Sequence, residues 1–185
     1  MWYLMDRGDN SCAGKKRYLR LCLLAAGIFL TGCAGGRIIE GAYNNEAKGF
    51  SVQLPSNGWS VEIGDEADLV LRHKYRQAGI SIHATCGEIP PDRPLEVVSR
   101  HLFFGIRAKE TLRQTQHTDG RWEGLEVVLR GELGGQELLL HGYTLKDPDC
   151  VYDLVLFALP NEYPEVNRDF EALVRRFHLL PGETP

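Results

Sequence analysis

The stretch Cys150–Leu159, with the sequence CVYDLVLFAL, is apolar at nearly every position and constrains the fold more than any other part of the chain. A strand that faces solvent on one side alternates apolar and polar residues, whereas a strand covered on both faces has a continuous apolar run. The pattern therefore predicts a buried strand in a sheet that has helices on both sides.

The first part of the folded chain predicts four further strands, joined in pairs. Residues 49–55 (GFSVQLP) and 59–63 (WSVEI) alternate apolar with small or polar side chains, and we expect them to form a hairpin. Residues 68–74 and 79–86 predict a second pair. In its second strand one face carries the apolar residues Ile80, Ile82, Ala84 and Cys86.

Two amphipathic helices are predicted. Pro94 suits the first turn of a helix, and apolar residues then recur at spacings of three and four as far as about Lys109. The members of this stripe are Leu95, Val98, Leu102 and Ile106. A second helix is expected from Pro164 to about Phe177, with an apolar face made by Val166, Phe170, Leu173, Val174 and Phe177.

Strands return between the two helices. Residues 111–117 are a weak candidate, whereas 122–133 is a strong one, and a Gly134-Gly135 turn joins it to a further strand at 136–146. Four strands, a helix, about four strands and a helix predict an α+β fold with a mainly antiparallel sheet. We expect a single domain over residues 49–180, followed by a tail at 181–185.

The order of elements and two short motifs resemble the PsbP-like domains, whose namesake is an extrinsic subunit of photosystem II and which also occur in bacterial envelope lipoproteins. The motifs are residues 49–55 followed by Gly58-Trp59, and the strand 152–156 (YDLVL) leading to Phe170, Leu173 and Phe177. The resemblance covers about residues 48–180. It implies an α/β/α sandwich with an assembly or binding role, and it brings no catalytic residues.

The N-terminal region has the features of a secretory signal. A basic cluster at residues 15–20 precedes an apolar run at 21–30, which is shorter than the roughly 20 residues that a membrane span needs. Leu30-Thr31-Gly32-Cys33 then resembles the lipobox of bacterial lipoproteins. The resemblance implies removal of residues 1–32 and lipidation of Cys33; an ordinary signal peptide or a signal anchor is the alternative.

Residues 33–48 have small and polar side chains without a sustained period, and they are predicted to be a flexible tether behind the lipidated cysteine. Two or more acyl chains anchor a protein stably to a bilayer. Ala34, in place of an aspartate after the cysteine, favours the outer membrane. We therefore expect a bacterial envelope lipoprotein on the periplasmic face of that membrane.

The charge of the mature chain excludes some partners. The chain has 21 Lys+Arg and 25 Asp+Glu; residues 1–32 contain five of the former and two of the latter, so the mature charge is about −7. A surface of this sign repels nucleic acid and anionic lipid unless a basic patch is present. Nucleic acid is not an expected partner.

The five cysteines predict one disulfide. Cys12 and Cys22 leave with the signal peptide and Cys33 is lipidated, which leaves Cys86 and Cys150 in an oxidising compartment. We predict a Cys86–Cys150 bond. Two buried free thiols and a redox-active pair are the alternatives.

The six histidines give no metal or catalytic motif. Histidine and carboxylate pairs such as His141 and Asp153 are common by chance, and the spacings H-x-x-x-H and H-E-x-x-H do not occur. His73 and His83 would meet if their strands paired in the right register. No nucleophile stands in a G-x-S-x-G turn. We expect structural histidines, no cofactor and no bound metal.

Two aromatic residues are candidates for a protein-binding surface. Phe103 and Phe104 are adjacent on the first predicted helix, so one of them points away from the apolar stripe. Trp122 begins a strand after a turn. An exposed patch that includes Phe104 and Trp122 would suit a protein partner; packing of Phe104 under a loop is the alternative.

Three functions follow in order of preference. The first is a non-enzymatic, lipid-anchored binding or assembly-accessory domain with an envelope protein as partner. The second is a metal-binding or hydrolytic envelope enzyme that uses His83 or His141. The third is an envelope structural factor without a small ligand.

Overall fold

A computed structural model describes residues 35–62, 67–87, 93–118 and 122–180, all of which belong to one compact unit, Gly35–Pro185. In these residues the strands are β1 Arg37–Ile39, β2 Ala42–Asn45, β3 Phe50–Gln53, β4 Trp59–Glu62, β5 Leu69–His73, β6 Ala78–Cys86, β7 Arg107–Thr118, β8 Glu123–Leu133, β9 Gln136–Lys146, β10 Cys150–Ala158 and β11 Phe177–Leu179. The helices are α1 Leu95–Val98, continued by a 3₁₀ segment Ser99–Phe103, and α2 Tyr163–Arg175.

The strands form two antiparallel sheets. The large sheet has the order β4-β5-β6-β10-β9-β8-β7, and the small sheet has the order β1-β2-β3-β11. The main core contains Val166, Phe170 and Leu173 of α2, together with residues from both sheets. Leu95 and Phe103 pack on the opposite face of the large sheet. The fold is therefore the α+β arrangement that the sequence predicts, with helices on both sides of a sheet.

Strand β10 is the central strand of the large sheet, and the prediction for it is confirmed. Residues 151–156 are all buried, so both faces of the strand are covered. Its exposed member is Phe157, near the end of the strand. Asp153 is the acidic exception in this apolar run, and it is 3 % exposed.

The prediction of a flexible tether over residues 33–48 is wrong for its described part. Residues 37–39 and 42–45 form β1 and β2, and Tyr43 and Asn45 are buried. Tyr43 packs in the main core and donates a hydrogen bond of 2.8 Å to the Asp68 carbonyl. The tether prediction fails because burial of Tyr43 and backbone pairing between strands stabilise β1 and β2, although their sequence has little periodicity.

The first predicted hairpin is also wrong. β3 pairs with β2 and β11 in the small sheet, whereas β4 pairs with β5 in the large sheet. The chain therefore passes from one sheet to the other between residues 53 and 59. The second predicted pair, β5 with β6, is confirmed.

The two helices differ from the prediction at their ends. The first was expected to reach Lys109, but its 3₁₀ segment ends at Phe103 and Gly105 has a φ of +83°. Glycine adopts this left-handed conformation without the steric cost of a Cβ, so it ends helices readily. The residues that follow form β7. The second helix ends at Arg175, and Phe177 begins β11 instead of belonging to the helix.

Candidate functional site

Phe104 is the most exposed of the large apolar side chains in the described residues, at 91 %. Its neighbour Phe103 is 7 % exposed and packs on the large sheet, where Gly142 makes room for the ring. A Cβ at residue 142 would lie 2.9 Å from Cζ of Phe103. The two adjacent phenylalanines therefore point in different directions, and Phe104 projects into solvent just before the turn at Gly105.

Strand β7 continues from this turn as one edge of the large sheet. All of its residues are exposed, and it pairs with β8 on one side. Irregular pairing between Arg107 and Glu110 and between Thr111 and Arg113 interrupts the edge. Bulges and charged residues are common protections of an open edge against unwanted pairing. Phe104 thus lies next to an exposed edge strand whose irregular pairing and charged residues disfavour pairing with another chain.

The structure does not bring Trp122 to Phe104. The Trp122 ring lies over Gly124, beside Leu145, and packs against the main core on the face that α2 covers. Phe104 follows the 3₁₀ segment on the other face of the large sheet. The predicted patch of Phe104 and Trp122 is therefore reduced to Phe104, because the second aromatic residue is used for packing.

Cys86 and Cys150 form a disulfide with an S–S distance of 2.04 Å. The two residues are directly opposite each other in the register of β6 and β10. The sequence predicts this pair from the cysteine count, and the strands place it at the end of the central ladder. Cys33 lies outside the described residues.

A buried polar network joins α2 to the large sheet around Glu126. The carboxylate, in a residue that is 7 % exposed, accepts a hydrogen bond from Arg113 of the edge strand. His141 Nε2 lies 2.9 Å from Glu126 Oε1, and His117 Nε2 lies 3.4 Å from Oε2. Burial raises the pKa of Glu126, but the Arg113 charge and the two histidine contacts outweigh it, so the pKa lies below its ordinary value.

The network continues from His141 into α2. His141 Nδ1 lies 2.7 Å from Oδ1 of Asn167, and the Asn167 amide donates to Glu171 at 2.9 Å. Burial also raises the pKa of Tyr163, next to His141, to about 12. Because the His141 side chain is fully buried, it has no access to a substrate. The arrangement fixes α2 on the sheet.

A second polar cluster lies on the opposite face, around Asp153. Thr144 donates to Asp153 Oδ1 at 2.9 Å, and His101 Nε2 lies 2.9 Å from Oδ2. The hydrogen bond that His101 donates to the Asp153 carboxylate raises the pKa of His101, against the opposing effect of burial. His101 belongs to the 3₁₀ segment that presents Phe104. The cluster therefore holds the segment that carries the exposed aromatic residue.

His73 and His83 do not meet, because their strands do not pair in the register that would bring them together. His83 is opposite Asp153 in β10, with Nδ1 3.9 Å from Asp68, whereas the His73 ring lies 5.0 Å from that of Trp59. His141 and Asp153 belong to separate networks on opposite faces of the large sheet. No group of three or more His, Cys, Asp or Glu residues able to hold a metal ion occurs in the described parts of the chain.

A third cluster, around Asp68, was not anticipated from the sequence. Asp68 accepts hydrogen bonds from Lys48 at 2.9 Å and from the Ala84 backbone amide at 2.7 Å, and Lys48 also donates to the Ala84 carbonyl. These bonds join the small sheet's connecting loop to β6. None of the three residues is part of a motif, so spacing gave no signal for the cluster.

Comparison with known proteins shows the fold and no closer relationship. No protein family matches the sequence, and no curated protein matches it.

No helix in the described residues is both long and apolar enough to cross a membrane.

The solved structures that share the fold include the following three. Cyanobacterial PsbP (CyanoP) from Synechocystis sp. PCC 6803 is 17 % identical, with a TM-score of 0.57 over 82 % of this chain and 96 % of that one. LpqN of Mycobacterium tuberculosis, involved in cell envelope biogenesis, is 14 % identical, with a TM-score of 0.58 over 71 % of this chain and 84 % of that one. A Bacteroides thetaiotaomicron protein is 12 % identical, with a TM-score of 0.53 over 82 % and 50 %. The class that these define is the PsbP-like fold.

Proposed function

We propose that this chain is a lipid-anchored protein of the bacterial envelope that binds an envelope protein and has no catalytic activity of its own. The anchor is Cys33, and the domain faces the periplasm from the outer membrane. The observation that carries the binding role is Phe104, a large apolar side chain that is 91 % exposed and held by an ordered segment. Aromatic side chains are enriched at the centres of protein interfaces.

The surroundings of Phe104 support this role. His101, three residues earlier, is hydrogen bonded to Asp153 in the large sheet, and Phe103 is buried against it. The aromatic ring therefore follows backbone that is fixed immediately before the turn. A preorganised anchor loses less conformational entropy on binding than a mobile one.

The polar networks favour binding over catalysis. His141 is buried with both ring nitrogens beside oxygen partners, and Glu126 is occupied by Arg113 and two histidines. A general base must reach the proton that it abstracts. LpqN, which shares the fold, is involved in cell envelope biogenesis, and this similarity supports the proposal of an envelope role.

Photo-crosslinking tests the binding surface. A photoreactive phenylalanine analogue at Phe104 in the full-length protein should form a discrete adduct with an envelope protein in intact cells. The same analogue at Tyr75, another aromatic residue that is 85 % exposed, is the matched control. Equal adduct patterns at the two positions, or no adduct at Phe104, would contradict the binding surface.

Mass spectrometry of the purified protein tests the anchor. A mature N-terminus at Cys33 that carries acyl chains is the expected result, and Cys33→Ala should leave the precursor uncleaved. Fractionation of the envelope then distinguishes the outer from the inner membrane. An unmodified Cys33 in the mature protein would contradict the lipoprotein assignment.

A further inference from the structure

The small sheet has one face in the core and one face outside it. Tyr43, Val52 and Phe177 form a row across β2, β3 and β11, and all three pack in the main core. Because side chains alternate along a strand, the neighbouring rows point away from the core. The first of these rows contains Arg37, Asn44, Ser51 and His178.

The next row on the same side contains Ile39, Ala42 and Gln53. A shallow cavity of about 360 Å³ lies over this surface, and Arg176 and His178 line it together with Ala42, Ser51 and Gln53. We call the surface formed by these two rows and Arg176 the outer sheet face.

The outer sheet face is cationic in a chain with more acidic than basic residues. Arg37 and Arg176 point to the same side as His178, and the two rows contain no carboxylate. Within the described residues neither arginine forms an ion pair. Asp169 lines the adjoining cavity beside Arg176, and it accepts a hydrogen bond from the Trp59 indole at 3.0 Å. The two guanidinium groups are thus available to an external anion.

The edge of this sheet is also apolar. Ile39, in the second outer row, is 54 % exposed on the edge strand β1, whereas Ile38 is opposite Tyr43 and points to the other side. Arginine side chains pair well with phosphate groups, and exposed aliphatic residues beside them suit the boundary between head groups and acyl chains. The combination matches the chemistry of an anionic lipid surface.

The length of chain between Cys33 and β1 brings this surface to the membrane. Three residues, 34–36, lie between Cys33 and Arg37, and a fully extended chain over these four steps spans at most about 14 Å. We propose that the outer sheet face lies on the bilayer, with Arg37 and Arg176 at anionic lipid head groups and Ile39 of β1 at the interface. This inference rests on the proposed lipidation of Cys33.

The position of His178 distinguishes two orientations of the small sheet at the membrane. His178 lies at the opposite edge of the small sheet from Arg37, three strand spacings of about 4.8 Å away. If the acyl chains on Cys33 were the domain's only contact with the membrane, β1 would lie close to lipid but β11 would not. A sheet that lies flat brings His178 to the lipid surface as well.

Depth-dependent fluorescence quenching tests the proposal on the acylated mature protein, residues 33–185, in vesicles. A fluorophore is attached to the single free thiol of His178→Cys, because Cys86 and Cys150 are bonded and Cys33 is acylated. Phe104→Cys, on the opposite face of the large sheet, is the control. Lipids with a quencher near the head group, in vesicles containing phosphatidylglycerol, should quench the label at 178 and leave the label at 104 bright.

Charge reversal supplies the second measurement. Arg37→Glu combined with Arg176→Glu should abolish the quenching difference between positions 178 and 104. Quenching at 104 that equals or exceeds quenching at 178, with acylation of Cys33 verified by mass spectrometry, would overturn the membrane orientation and leave the lipoprotein assignment standing. A protein without acyl chains on Cys33 would overturn both.

Discussion

The Nε2 atom of His101 lies 2.9 Å from the Oδ2 atom of Asp153, although 52 positions separate the two residues in the chain. Asp153 is in the central strand β10 and is 3 % exposed, while His101 is in the 3₁₀ segment that precedes Phe104. The contact therefore links the middle of the large sheet to the segment that presents the exposed aromatic ring.

This contact predicts a dependence of stability on pH. The pKa of His101 is raised in the folded protein by Asp153, so its stabilising contribution is complete below the unfolded pKa, near 6.5, and is lost as pH rises through the folded value. Urea midpoints measured from pH 5.5 to 8.5 should fall across this range, and His101→Gln should flatten the fall.

His178→Gln is the control for this measurement, because His178 is exposed and lies on the small sheet. It should leave the slope unchanged. A wild-type midpoint that stays constant or rises from pH 6 to 8 relative to His101→Gln would contradict the predicted direction.

Glu126→Gln should destabilise the domain by about 2 kcal/mol. The substitution removes the buried negative charge that interacts with Arg113 and His141. Equilibrium urea unfolding measures the change. The exposed Glu110, which is 3.3 Å from Arg130, provides the matched control. Glu110→Gln should change the free energy of unfolding by less than about 0.5 kcal/mol. Similar losses from both substitutions would show that the Glu126 network has no special role.

Reduction of the Cys86–Cys150 bond should lower the free energy of unfolding by about 4 kcal/mol, because the bond closes a loop with a sequence separation of 64. Unfolding of the wild type with and without reductant measures the effect. The double variant Cys86→Ser with Cys150→Ser should be insensitive to reductant. A reductant effect of the same size in that variant would mean that the bond is not its source.

Hydrogen exchange should show that residues 42–45 are protected as part of the folded domain. Asp68→Asn weakens the bonds that join Lys48 and Ala84, and we expect it to increase exchange in β2 more than in β10. Glu62→Gln, in an exposed pair with Arg72, is the control. Rapid exchange of β2 in the wild type would instead restore the tether interpretation.

The sequence was sufficient where one local pattern determined the outcome. The apolar run of β10 predicts a central strand covered on both faces, and the pair Cys86 and Cys150 follows from the count of cysteines that would remain after the predicted processing. The helix stripe of residues 164–173 is regular, so α2 was predicted within a few residues of its observed ends.

Prediction failed where distant pairing outweighed local pattern. β1 and β2 have little periodicity, and their structure depends on Tyr43 and on pairing with β3. β3 and β4 both alternate apolar and polar residues and follow one another in the chain, so the sequence does not indicate that they belong to different sheets. The sequence alone did not show that the φ of Gly105, which follows the first helix, is positive.

Partners of the polar residues were the least predictable part. His141, Glu126 and Asn167 come from three elements, and nothing in their spacing marks them as neighbours. Asp153 was the one available signal, because an acidic residue inside an apolar strand needs a buried partner. Its partner, His101, could be identified only after the 3₁₀ segment was placed over the large sheet.

The early start of β1 has a consequence for how this protein would encounter others. If Cys33 carries the proposed anchor, only residues 34–36 separate it from β1, so the domain would stay close to the bilayer and move with its lipid. Diffusion is then confined to the plane of the bilayer, so the search for a partner is two-dimensional. A partner in the same plane meets the domain at a high effective concentration, whereas one that is dissolved deep in the periplasm must come to the membrane to reach Phe104.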